Sequence, residues 1–315
     1  MKTRDPLLPG RLLRKPGSPT PIEKFQGVQI DDPCLESVLS ADAQLLSLYD
    51  QALHAEGTVW VPKHHYLVWS DVENRRLLAW HPDGHVDVLI DGTYFMNGNA
   101  LDLDGNLVHC EHGRRCISRS DDHGDAMPFI THYQGKRLNS PNDITVASDG
   151  AIWFTDPIFG LCMPRQGSLA EPELSHQSVY RYDGELRRMA DFEQPNGLAF
   201  SPDGNTLYVS DTSRSLDNGG NKHEILSFAV GLDGTLSSRR FFCQTDHGVP
   251  DGFTVDVRGW VWTTSGDGIH IYAADGHRLG YFPTPVVCSN CTFGGEDGKR
   301  LFIAAQQYLL AIDLL

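Results

Sequence analysis

No stretch of this 315-residue chain approaches the ~18–20 consecutive apolar residues of a membrane span. The opening Met1-Lys2-Thr3-Arg4-Asp5-Pro6 is basic but lacks the apolar core of a secretory signal. From both absences we expect a cytoplasmic protein. Cationic side chains are scarce: 26 Lys and Arg stand against 41 Asp and Glu, a formal net charge of −15. Phosphate recognition needs Lys and Arg, so nucleic acid and anionic membrane are excluded as expected partners. The cysteines, at 34, 110, 116, 162, 243, 288 and 291, are odd in number and scattered, which suggests free thiols in a reducing compartment. Cys288 and Cys291 have CxxC spacing but no second pair, so a structural role is expected rather than a zinc or redox site. Neither GxSxG nor HExxH occurs, which argues against covalent-serine and zinc-protease chemistry.

What the chain does have is a repeat. Asn97/Gly105, Asn142/Gly150, Asn196/Gly204, Asp251/Gly259 and Asn290/Gly298 each pair a polar opener with a Gly eight residues later, across an apolar strand pattern. Glu56 opens a sixth unit, with His64 where the Gly would be. Successive openers are 41, 45, 54, 55 and 39 residues apart. After each turn comes a second apolar run, such as Tyr66–Asp71, Leu107–Glu111, Ile152–Asp156 and Leu207–Asp211, so each unit reads as a hairpin. Hairpins repeating every 40–55 residues predict an all-β fold, a six-bladed β-propeller. Equivalent positions in successive blades surround one axis, so Glu56, Asn97, Asn142, Asn196, Asp251 and Asn290 should converge. Carboxylate and amide oxygens in a ring suit a hard cation such as Ca2+; each opener could otherwise simply cap a turn. The acids Asp71, Glu111, Asp156 and Asp211 return to the same end. They could support that ring, hold a separate weak cation, or bind backbone amides.

Residues 1–24, rich in Pro, Arg and Lys, are expected to form an N-terminal arm, and residues 25–315 the propeller. Residues 25–31 read as a strand able to close the ring against Leu309–Asp313. Leu35, Val38, Leu39, Leu45, Leu46, Leu48 and Leu53 have roughly helical spacing and predict one or two short helices over 35–53. Residues 157–178 and 212–224 have loop compositions and leave their blades at the ring end, where long loops commonly wall a site.

Several segments, in order and at blade spacing, resemble the senescence marker protein/gluconolactonase family of calcium propellers. They are Glu56-Gly57-Thr58-Val59-Trp60, Ser70-Asp71, Asn97-Gly98, Cys110-Glu111-His112-Gly113, Ser140-Pro141-Asn142-Asp143, Phe154-Thr155-Asp156-Pro157, Pro195-Asn196-Gly197-Leu198 and Pro250-Asp251-Gly252. The resemblance spans about residues 50–315 and is strongest to bacterial gluconolactonases. It implies a metal held by Glu56, Asn142, Asn196 and Asp251. It departs at Thr58, where the family often has Pro, and at Phe159, where it often has Tyr; the second bears on substrate identity. Arg137 precedes Asn142 by five residues and need not match the Arg found in animal members.

The resemblance implies hydrolysis of a sugar lactone such as glucono-1,5-lactone, a step of carbohydrate metabolism. Ca2+ would be the cofactor, with Zn2+ or Mn2+ as substitutes. Asp251 is expected to be the base for water, and Asn142 to serve the reaction beside it. Asn97, Asn290 and His112 are candidate substrate contacts. A small-molecule lactone is the expected partner, and both monomer and homodimer are compatible with the arm. Two other readings remain open: a phosphotriesterase-like hydrolase on the same metal, and a non-enzymatic ligand-binding propeller.

Overall fold

A computed structural model describes residues 11–15, 17–120, 124–216 and 219–315. Residues 1–10 and 16 of the expected arm and residues 217 and 218 of the expected loop lie outside it. Six antiparallel sheets follow one another along the chain. Their inner strands are Ala55–Val61, Met96–Leu101, Ile144–Val146, Pro195–Phe200, Phe253–Val255 and Asn290–Gly294. Each touches the next, and the sixth touches the first, so the ring closes as a six-bladed propeller. We number the blades one to six in that order.

The repeating Asp-Gly turns do what the sequence pattern implies. In blade two, Asp102 Oδ1 accepts from the Asp104 and Asn106 backbone amides, and the Gly105 amide donates to the Asp102 carbonyl. Gly105 sits at φ 82°, a left-handed conformation that glycine adopts without a Cβ penalty. Blade one, which lacks the Gly, reverses through a short 3-10 turn at Pro62–His64 and takes its positive φ at His65. Apolar side chains collect between blades. Trp69, Trp153, Trp262 and Phe302 occupy the second strands of blades one, three, five and six and are fully buried. One apolar cluster fills each of the six seams, and Trp60 stacks on Phe302 across the seam between blades six and one, 5.7 Å apart and 12° from parallel.

The N-terminal segment differs from expectation. The predicted helix over 35–53 is instead a 3-10 turn, Pro33–Ser37, and a strand, Leu45–Tyr49. That strand pairs with Tyr308–Asp313 and completes blade six, so ring closure uses residues 45–49 rather than 25–31. Gln29–Ile30 pair instead with Arg278–Pro283 at the edge of blade five. The tertiary demand outweighs the helical spacing: an unpaired strand edge in blade six offers a full ladder of hydrogen bonds, while Leu35, Val38 and Leu39 still bury in the seam between blades five and six. Within the expected arm, Arg11–Arg14 pair with the outer strand of blade one, Val86–Asp91, and Thr20–Pro21 pair with Leu45–Tyr49. The segment thus adds a fifth strand to blades one, six and five in turn. All seven cysteines are free, and Cys288 and Cys291 are buried in the seam between blades five and six. Among the described residues no helix is long and apolar enough to cross a membrane.

Candidate active site

Four of the six openers are followed by glycine, and the packing explains why. A Cβ on Gly57 would lie 2.0 Å from the Asn97 carbonyl oxygen; one on Gly98, 2.6 Å from that of Asn142; one on Gly197, 2.4 Å from that of Asp251; one on Gly252, 2.3 Å from Asn290 Nδ2. Each missing side chain is filled by the next blade's opener, which draws the ring tight. The hydroxyl residues one place before the end of the second strands tie the same points together. Ser70 Oγ donates to the Asn97 carbonyl at 2.8 Å, Thr155 Oγ1 to that of Asn196 at 2.7 Å, and Ser210 Oγ to that of Asp251 at 3.0 Å.

The result is a cavity of about 120 Å³ on the axis. Five of the six openers, Glu56, Asn97, Asn142, Asn196 and Asp251, line it. Phe159, Met163 and Gln166, from the loop 157–178, form a wall; Ser215, from the loop 212–224, and Val249 form another. His54, which the repeat did not single out, also faces the cavity, with Nε2 3.8 Å from Glu56 Oε1. Burial pushes its pKa down to about 4, so it is neutral at pH 7.

Asn290 stands apart. Its Oδ1 accepts from Thr58 Oγ1 at 2.9 Å and from the Thr58 backbone amide at 3.3 Å, and it faces a separate depression further along the axis. The structure gives it a structural partner in place of the expected opening onto substrate. His112 also lies behind the cavity wall, fully buried. Its Nδ1 meets the Gln166 carbonyl at 2.9 Å, and a carbonyl only accepts, so Nδ1 carries the proton. Nε2 is then an acceptor, and Asn142 Nδ2 donates to it at 3.3 Å. This leaves Asn142 Oδ1 for the cavity. Asn196 is oriented the same way: Thr212 Oγ1 gives its proton to the Gln194 carbonyl and accepts from Asn196 Nδ2. Gly160 packs where any Cβ would stand 2.6 Å from the His112 Cβ, so the loop holds this imidazole closely.

One further residue, Asp143, joins the two cavity acids in setting the electrostatics. Asp143 follows Asn142 where other units have glycine, and burial raises its pKa to about 7. Asp251 is raised to about 7 by burial and by the Asp143 charge, against a hydrogen bond from Asn196 that lowers it. Glu56 is pushed well above the usual carboxylate range by burial, then by Asp251 and Asp143. Glu56 and Asp251, buried carboxyls whose ionisation neighbouring acids oppose, stand beside amide oxygens whose NH₂ groups are already engaged, a donor set suited to a hard divalent cation.

The acids ending the second strands serve the backbone. Asp71 accepts from the Leu53 and His54 amides, Asp156 from that of Asn139, and Asp211 from those of Glu193 and Gln194. Each thus holds the segment two or three residues ahead of its own blade's opener. Glu111 instead pairs with Arg114 and accepts from Ser118. His109 is fully buried between Asn99 Oδ1 and Ser120 Oγ, both at 2.6 Å.

Comparison with known proteins agrees with this architecture. The SMP-30/gluconolactonase/LRE-like region matches residues 54–307. A solved gluconolactonase from Xanthomonas campestris superposes with a TM-score of 0.91 at 50% identity, covering 97% of this chain and 100% of that one. A gluconolactonase of Zymomonas mobilis is 31% identical over 309 residues, covering 89% of this chain and 84% of its own. A pentonolactonase of Haloferax volcanii is 27% identical over 260 residues, covering 79% and 80%. The chain belongs to the SMP-30/gluconolactonase/LRE-like family.

Proposed function

We infer that this protein is a lactone-hydrolysing enzyme, a carboxylic ester hydrolase, acting on a sugar lactone such as glucono-1,5-lactone. The observation that carries this reading is the axial cavity, where two carboxylates and two pre-oriented amide oxygens converge, in a chain 50% identical to a gluconolactonase over nearly its whole length. Glu56, Asn142, Asn196 and Asp251 would hold a divalent cation. Their all-oxygen chemistry favours Ca2+, with Zn2+ or Mn2+ as substitutes. Bound there, the cation supplies Lewis acidity for the lactone carbonyl oxygen, where negative charge grows as water adds.

The chain's own residues do the rest. Asp251 accepts the proton of the attacking water, its carboxyl having a pKa of about 7 before a cation is bound and a lower one with a cation beside it. Asn142, fixed by His112, faces the cavity and would offer its amide oxygen to the cation. Asn97 faces the cavity as a hydroxyl partner for the sugar, and neutral His54 adds a second polar edge. Phe159 and Met163 cover the cavity with apolar surface and strengthen the electrostatics beneath them by excluding water. The bond between the acyl carbon and the ring oxygen then breaks, and that oxygen takes up the proton Asp251 accepted from water, giving the open hydroxy acid.

The test is the Asp251→Asn variant assayed on glucono-1,5-lactone. Loss of a general base is expected to lower kcat by about 10²–10⁴-fold in a folded protein. Wild-type turnover in a folded Asp251→Asn protein would remove Asp251 from the chemistry.

A further inference from the structure

The turn between Arg76–Trp80 and Val86–Asp91 in blade one carries chemistry that lactone hydrolysis does not use. The inner strand leaves the cavity from Glu56, the second strand returns, and the third runs away again. The turn at residues 81–85 therefore lies on the face opposite the cavity. There Asp87, 1% exposed, places Oδ2 3.2 Å from His81 Nε2 and 3.1 Å from His85 Nε2. Both are ion-pair distances, but Asp87 Oδ2 and His81 Nε2 are buried and neither is satisfied by a well-aligned hydrogen bond among the described residues. A buried carboxylate oxygen that faces imidazole nitrogens carrying no proton is costly. The cost is removed if something else sits between these three atoms.

We propose that His81, His85 and Asp87 form a second metal site, taking a divalent transition ion of the Zn2+ type. The three ligand atoms lie within 4.8 Å of one another. A tetrahedral Zn2+ with bonds of about 2.0–2.1 Å spaces its ligands about 3.3 Å apart, close to both carboxylate–imidazole distances here. His85 Nδ1 is engaged by the Asp83 carboxylate, whose Oδ1 also accepts from the His85 backbone amide at 3.0 Å. That fixes the Nδ1–H tautomer and leaves the Nε2 lone pair for a metal, a carboxylate–histidine–metal relay. Both imidazole side chains are about one-fifth exposed, enough for an ion to enter and for water to complete the coordination. The two rings are stacked, 3.8 Å apart and 11° from parallel, so loading must tilt their planes toward each other.

The donor set differs from that on the axis. Two imidazole nitrogens and one oxygen favour Zn2+ over Ca2+, whereas the axial oxygens suit Ca2+. The second site also lies where the N-terminal segment docks. Leu12 is opposite Asp87 in the ladder, and the Gly17 amide donates to the Asp83 carbonyl at 2.9 Å. An ion here would clamp the turn that receives that segment.

The test is a Zn2+ titration of chelator-stripped protein against a chromophoric chelator, comparing wild type with His81→Ala/His85→Ala. Wild type is expected to take up one more equivalent than the double variant, while their lactone turnover is the same. Equal stoichiometry in the two proteins overturns the proposal. Anomalous diffraction at the zinc edge from Zn2+-soaked wild-type crystals gives an answer that needs no variant. A peak bounded by His81, His85 and Asp87 is expected, and peaks found only elsewhere overturn it.

Discussion

Burial holds the His112 pKa at about 4, so at pH 7 the ring is neutral and can accept from Asn142 only through Nε2. This makes His112 a positioning residue, in place of the substrate contact expected from its sequence. His112→Ala is expected to free the Asn142 amide and weaken Ca2+ binding by about 10–100-fold, as loss of an orienting partner commonly does. Calorimetric Ca2+ titration of both proteins checks this; unchanged affinity would mean that Asn142 orients itself. The openers stood out in the sequence because each repeats at blade spacing. His54 and Asp143 did not, because each occurs in one blade only and gains its character from burial near the axis. Asn290 shows the reverse: it fits the repeat, yet Thr58 takes its oxygen.

At the scale of the element, the glycines after the openers set how closely the inner strands approach. Gly197→Ala would push a methyl to 2.4 Å from the Asp251 carbonyl oxygen. Overpacking of this kind costs about 1–3 kcal/mol or more, and here it falls on the ring itself. The variant is expected to melt earlier and to lose Ca2+ affinity together, as read by thermal unfolding with and without the ion. Gly204→Ala meets no atom within 4 Å, so only its left-handed φ of 71° resists the change. It should destabilise without altering Ca2+ affinity. Hairpins and their turns were legible because strand alternation and Asp-Gly turns are local signals. Leu45–Tyr49 was not: its leucines fit a helix as well as a strand, and what decides is the open edge of Tyr308–Asp313, more than 250 residues away.

For the whole molecule, blade six is joined from both ends of the chain, so the first segment is a structural closure. Removing residues 1–50 would strip the outer strand from Tyr308–Asp313 and bare the seam packed by Leu45 and Leu48. Such a truncation is expected to aggregate or remain unfolded; a soluble, fully folded product would contradict the closure. The axial acids give the molecule a pH signature. Asp143 and Asp251 have folded pKa values near 7, raised from an ordinary 3.8, and Glu56 is raised as well. The folded state therefore holds protons that the unfolded chain has already released. For Asp143 and Asp251 the resulting penalty is absent below about pH 4, grows as pH rises, and levels off above about pH 7; Glu56 adds to it in the same direction. Neutral His54, His109 and His112 pull the other way below the ordinary histidine range, so the acids are read through the ion: Ca2+ should raise the melting temperature of stripped protein more at pH 8 than at pH 5. An equal Ca2+ shift at both would separate these carboxyls from the ion.

The most direct measurement is turnover of glucono-1,5-lactone by chelator-stripped protein, before and after Ca2+ is added back, with metal content measured on the same samples. The account expects activity to vanish on stripping and to return with Ca2+. Full turnover by protein shown to be free of metal would contradict it.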